Sequence, residues 1–243
     1  MTSIENLQKT FEHFAHGQHS HTAFTELLDW TLLPFKQFST AEEQQHAFEA
    51  FREHKKVDQL IPLIIQIGDL SEDFCDPLGE IYMRAISNGH NGQYFTPEPL
   101  CDLLSIVTTN EALADSEKVI DCACGSGRML LSAAKGNRYA RFYGADLDNT
   151  CCKMALVNML LNSLTGEIAH MNSLSNDFYT GYKMQTTLVS GQHIPFYIEF
   201  TDAEQSSIWL HSLKGTASNS AFSTPFEPIL SDRPINGVQI SLF

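Results

Sequence analysis

The residues with the clearest chemical potential form one run, Val119-Ile120-Asp121-Cys122-Ala123-Cys124-Gly125-Ser126-Gly127, followed by a helix-compatible stretch over 128–134. An apolar strand that ends in a small-residue turn and opens a helix makes a seat for an anion. Gly125 and Gly127 lack a Cβ, so the backbone turns sharply and comes close to a ligand, and the helix start offers free amides. Alone, a Gly-x-Gly is equally well a tight strand-to-helix turn. A second strand, Phe142-Tyr143-Gly144-Ala145-Asp146, follows at about the interval one helix needs and ends in a carboxylate able to bind both hydroxyls of a ribose. Asp148, two residues on, is the better helix N-cap, which leaves Asp146 for the ligand. After a third strand, Asn172-Ser173 offers an amide and a hydroxyl that can meet an adenine amino group; a plain polar turn reads the pair equally well.

These residues need elements to carry them. Short β-type runs at 118–122, 142–146, 167–171 and 186–190 alternate with helical stretches, of which 149–161 is the clearest. Such alternation implies parallel crossovers and an α/β, doubly wound, Rossmann-like sheet. Before it, from Ile4 to about Ser87, apolar residues recur at three and four, as in Phe24, Leu27, Leu28 and Phe48, Phe51, which predicts amphipathic helices punctuated by Pro34, Pro62 and Pro77. Asp76-Pro77 is an N-cap with proline at the first helical position. Beyond Thr201 the pattern decays into Ser, Thr, Asn and Pro, notably over 215–228. The expected organisation is a helical region over 1–88, a ligand-binding α/β domain over 89–200 and an irregular tail over 201–243.

Composition narrows the class. With 43% hydrophobic and 18% charged residues, and neither a leader pattern nor a membrane-length apolar run, the chain reads as soluble and cytoplasmic, with no membrane partner. A formal charge of -14 argues against a module that grips DNA alone, because Lys and Arg supply most non-specific affinity for phosphates. The six cysteines, two of them adjacent at Cys151-Cys152 and two flanking Ala123, suit free thiols. His13, His16, His19 and His21 lack acidic or thiolate partners at ligand spacing, so no metal is expected.

Three ordered motifs carry a resemblance: Asp76-Pro77-Leu78-Gly79-Glu80-Ile81-Tyr82, then Gly92-Gln93-Tyr94-Phe95-Thr96-Pro97, then 121–127. Over about 73–171 the chain resembles the modification subunits of type I restriction-modification systems, which are N6-adenine DNA methyltransferases. The resemblance implies a class I methyltransferase fold, S-adenosylmethionine as cofactor, and DNA as the eventual target. It implies cofactor contacts from Tyr94, Phe95 and Thr96, from Asp121, Cys124, Gly125, Ser126 and Gly127, from Asp146 and Leu147, and from Asn172 and Ser173, with the methionine carboxylate on the glycine turn.

The pattern also breaks. Cys122 stands where the family usually has Pro, and Asp146 where it often has Glu. The family's Asn-Pro-Pro-Tyr/Phe, which holds the flipped adenine, is absent, and the chain has no Pro-Pro pair. His193-Ile194-Pro195-Phe196 is the nearest remnant, making His193, Pro195 and Phe196 weak catalytic candidates; a loop and core strand is the favoured reading. No target-recognition region is visible, so DNA is expected through a partner subunit. The terminal Gln239-Ile240-Ser241-Leu242-Phe243 resembles the peptide by which bacterial DNA-processing proteins dock on the sliding clamp, through Gln239, Ile240, Leu242 and Phe243; a terminal strand on the chain's own sheet reads it equally well. Three functions stay open: an adenine-N6 DNA methyltransferase with an incomplete or partner-completed acceptor site, a catalytically inactive methylase-like accessory or scaffold protein, and methylation of another acceptor.

Overall fold

In a computed structural model the described residues are 3–86, 94–108, 115, 117–210 and, as backbone, 239–241. The N-terminal half is helical: α1 (Ile4–Ala15), α2 (Ser20–Leu32), α3 (Ala41–Arg52), α4 (Val57–Leu70), α5 (Pro77–Ala85) and α6 (Glu98–Thr108). Ser3, Thr40 and Asp76 begin α1, α3 and α5 by accepting a first-turn amide each, as N-caps do. Leu7, Phe11 and Phe14 of α1, Phe24, Leu27 and Leu28 of α2, and Leu60, Leu63 and Ile67 of α4 form the buried stripes. Pro62 does not punctuate; it lies inside α4. Its ring is exposed, so water can reach the carbonyl that lost its donor, while the opposite face is held by packing.

The α/β expectation holds. β1 (Lys118–Asp121), α7 (Arg128–Gly136), β2 (Arg141–Asp146), α8 (Asn149–Leu161) and β3 (Thr165–Asn172) alternate, and β1, β2 and β3 pair in parallel. α8 is apolar all round because it is covered on both sides, by β2 and β3 on one and by α2 and α5 on the other. A single apolar cluster therefore runs from α1 to the sheet.

After β3 the sheet departs from parallel winding. Only four residues separate β3 from β4 (Asp177–Val189), too few for a crossover, so β4 folds back antiparallel. Ser190 and Gly191, both at positive φ, then turn the chain tightly into β5 (Gln192–Phe200). The stretch expected as a strand over 186–190 is thus the end of β4 rather than a fourth parallel strand. Residues beyond Met184 pair with β5 alone, so the hairpin reaches past the start of β3. With β6 (Gln239–Ser241) the order is β5-β4-β3-β2-β1-β6, so β5 is an edge strand, which is where Pro195 is tolerated.

Two parts of the expected tail are ordered. Ser206 and the Ser207 amide hydrogen-bond the buried Glu167 carboxylate of β3, and Trp209 Nε1 donates to Asn176 O at 3.0 Å, so 201–210 packs against the sheet. Gln239–Ser241, β6, pairs in parallel with β1, Gln239 opposite Lys118 and Ile240 opposite Val119. That is the self-docking reading of the terminal peptide, and it replaces the free clamp-binding end for Gln239 and Ile240. Leu242, Phe243 and 215–228 lie outside the described residues. No helix among the described residues is long and apolar enough to cross a membrane.

Candidate functional site

The site forms where β1 and β2 end. Asp121 closes β1 and accepts from Ala123 N at 3.1 Å, which starts the turn. Cys124 N donates to Ala145 O at 2.9 Å, pinning the loop to β2, and Gly125 and Gly127 take φ of 52° and 85° before α7 begins. At those angles a Cβ would be strained. Asp146 faces this loop: Oδ2 accepts from Gly125 N at 2.9 Å and Oδ1 from Asp148 N at 2.9 Å. Asp148 caps α8 through Thr150 N at 2.8 Å, the N-cap role expected of it.

Phe95 forms a wall over the loop. Its ring stacks on Tyr82 at 5.6 Å, Arg128 lies over its face at 5.9 Å, and a Cβ on Gly125 would stand 3.0 Å from it. Thr96 O accepts from Arg128 Nη1 at 3.4 Å. A cavity of about 190 Å³ opens between Tyr94-Phe95-Thr96 on one side and Asp121, Cys124, Gly125 and Ser126 on the other, with Arg128 and Met129 of the first turn of α7 at its base. First-turn helix amides have no acceptor within the helix. Leu147, 61% exposed, flanks Asp146.

Burial sets the electrostatics of the two carboxylates. Burial pushes the Asp121 carboxyl up to about 6; the Ala123 amide opposes this and the nearby Asp146 carboxylate adds to it. Burial likewise raises Asp146, against the pull of the Asp148 and Gly125 amides.

Of the residues expected to contact cofactor, Tyr94, Phe95, Thr96, Asp121, Cys124, Gly125 and Ser126 line this crevice, Gly127 and Asp146 adjoin them in the loop and beside it, and Leu147 follows Asp146. Asn172 Oδ1 accepts from Leu174 N at 3.0 Å and Ser175 N at 3.3 Å, so both of its lone pairs are taken by the turn. Ser173 Oγ donates to Cys122 O at 2.8 Å and borders a neighbouring cavity. The polar-turn reading is therefore the one the pair adopts. His193 lies beside Arg138, Tyr139, Ser163 and Thr165, at the start of β3, whereas the crevice is at the strands' far ends. Pro195 and Phe196 pair with Thr186 and Gln185 of β4 on the same hairpin. Eight residues of β3 span about 23 Å, so none of the three reaches the crevice.

Residues with no expected part in binding also meet here: Asp76, expected only as an N-cap, with Gly79, Arg128 and Asn158, which contact Ser126 or one another. A sequence signal for Asn158 exists, since it is one of few polar residues inside an otherwise apolar helix.

The family described as N-6 DNA Methylase matches residues 74–220. The chain is similar to the Type I restriction enzyme MpnII methylase subunit of Mycoplasma pneumoniae, 24% identical over 158 residues, covering 60% of this chain and 28% of that protein. Two solved structures are also similar. The type I restriction-modification methyltransferase subunit from Streptococcus thermophilus has a TM-score of 0.38 and 12% identity, over 67% of this chain and 57% of that one. A modification subunit of a putative type I restriction enzyme from Vibrio vulnificus has a TM-score of 0.37 and 19% identity, over 59% and 34%. The chain thus spans less than two thirds of the length of each.

Proposed function

Because the chain belongs to the N-6 DNA methylase family, we propose that the crevice between Phe95-Thr96 and the glycine loop binds S-adenosylmethionine, and that the protein serves adenine-N6 modification of DNA with an acceptor site completed by a partner polypeptide. The observation that carries this is the pairing of Asp146 with the loop: a half-buried carboxylate at the end of β2, bonded to Gly125 N of the loop that lines the crevice.

The residues fit such a group. Asp146 uses one lone pair on each oxygen for backbone amides, so each oxygen keeps another for a ribose hydroxyl. The start of α7 suits a carboxylate. Asp121 and Asp146, both held above the usual carboxylate range, are relieved by a ligand that carries positive charge, as a sulfonium and an ammonium do. Bound there, S-adenosylmethionine would supply an electrophilic methyl group. Tyr94, 73% exposed, and Leu147 leave apolar surface at the mouth for whatever approaches it.

The acceptor half has no counterpart among the described residues, since His193, Pro195 and Phe196 stand at the other end of the sheet. That observation favours a partner that holds the base, and equally a second reading, an accessory protein that binds cofactor without transferring the methyl group. The negative formal charge also favours a partner that grips the DNA. Calorimetric titration of S-adenosylmethionine and S-adenosylhomocysteine into the purified protein, with Asp146→Ala as control, tests the cofactor reading. Binding lost in the variant supports it, and no binding by folded wild-type protein overturns it. Methyl transfer to DNA, with and without candidate partner subunits, then separates the two readings.

A further inference from the structure

Asp76 does far more than cap a helix. Capping α5 takes one hydrogen bond, from Gly79 N to Oδ1 at 2.7 Å. The same carboxylate accepts three more: from Asn158 Nδ2 at 2.7 Å, from Ser126 Oγ at 2.5 Å and from Arg128 Nε at 2.6 Å. Two of those donors belong to the glycine loop and the first residue of α7. Asn158 adds a bond from Nδ2 to Ser126 O at 2.9 Å, and Arg128 reaches on to Glu80 Oε1 at 2.8 Å and Thr96 O at 3.4 Å. Asp76, Ser126, Arg128 and Asn158 are all at least nine-tenths buried. One carboxylate thus holds both the loop that forms the floor of the crevice and, through Arg128, the segment that forms its wall.

Two details set this apart from generic packing. Gly79 sits inside a helix, where glycine is unfavourable, yet a Cβ there would stand 2.0 Å from Asp76 Oδ2 and 2.8 Å from Ser126 Oγ. Its absence lets α5 approach the loop. Asn158 must present its amide nitrogen to two acceptors, which leaves its Oδ1 buried without a partner among the described residues. A buried orphan carbonyl costs about 1–3 kcal/mol, so stability alone gives no reason to keep it.

We propose that Asp76 is a positioning residue for cofactor binding: through Ser126, Arg128 and Asn158 it fixes the glycine loop in its ligand-ready shape before any ligand arrives. This rests on the reading that the loop holds S-adenosylmethionine, and the test separates the two ideas. Asp76→Asn is compared with Leu78→Ala, which weakens the same helix through a fully buried side chain with no bond to the loop. In ligand-free protein, hydrogen exchange over 123–129 should quicken by about tenfold or more in Asp76→Asn, on the scale of one charge-assisted bond, with β3 unchanged. Affinity for S-adenosylhomocysteine should fall by a similar factor, roughly tenfold or more, while Leu78→Ala stays within about twofold of wild type despite a lower melting temperature. Equal loop exchange in Asp76→Asn and wild type overturns the proposal, as does loss of affinity that simply tracks stability in both variants. Wild-type protein that binds no ligand defeats the cofactor reading but leaves the exchange comparison decisive for loop positioning. Should Asp76→Asn not fold, Asn158→Ala, which removes the bridge between Asp76 Oδ1 and Ser126 O but leaves the carboxylate its other three donors, should show the same pattern at smaller size; no change in either readout overturns the proposal.

Discussion

Replacing Asp121 by Asn should stabilise this protein, and by an amount that depends on pH. Asp121 is 1% exposed, its carboxylate accepts one hydrogen bond among the described residues, and burial pushes it up to about 6 from 3.8 for an unperturbed carboxyl. A raised folded-state value means that the folded chain holds the proton more tightly than the unfolded chain does. The stability this contributes is complete below pH 3.8 and is lost as pH rises through 6. At about 1.4 kcal/mol per pH decade, the loss is roughly 1 to 2 kcal/mol at pH 5 and about 3 kcal/mol at pH 7.5. Asparagine keeps an oxygen to accept from Ala123 N and carries no charge, so Asp121→Asn should recover most of that loss. Urea denaturation of both proteins at pH 5 and pH 7.5 reads the difference directly. A gain of about 3 kcal/mol at pH 7.5 that halves at pH 5 is the expected outcome. An equal gain at both pH values, or a loss at pH 7.5, would refute the argument that the buried charge is the source.

The same carboxylate should couple ligand binding to protons. A cationic ligand beside Asp121 favours the ionised form, so affinity for S-adenosylmethionine should fall as pH drops through about 6, with proton release visible by calorimetry in buffers of different ionisation enthalpy; a flat profile counts against it. Asp146→Ala should weaken S-adenosylhomocysteine by roughly ten- to a hundredfold, the worth of one or two hydrogen bonds to a charged group, measured by the same titration. Pro62→Ala restores a donor inside α4 on an exposed face and should raise stability by about 2 kcal/mol in denaturant melts; destabilisation would show that the helix needs the ring.

The site's first half was legible because its chemistry is local. Strand, glycine turn and helix start lie within a few residues of one another, and Asp121 and Asp146 end their strands as the spacing implied. The sheet beyond β3 was less legible, because a short apolar run does not announce its direction; only the four-residue link to β4 does. His193 and Phe196 were only a weak remnant of an acceptor motif in sequence, and the antiparallel β4 carries them away from the crevice. The Asp76 network was illegible for another reason: Ser126, Arg128 and Asn158 lie 50 or more positions along the chain from Asp76, and only the folded packing of α5 on α8 brings them together.

α8 has a consequence for how the molecule comes apart. It is solvent for neither neighbour: β2 and β3 bury one flank of it and α2 and α5 the other, and nearly every side chain from Thr150 to Leu160 is inside. Removing the helical region would strip that flank to water, and removing the sheet would do the same from the other side. Each part would thus lose the cover of α8 with the other, so the helices and the sheet are expected to unfold together, in a single denaturation transition. A cut between the helical region and the sheet would on this packing expose α8, whichever side keeps it.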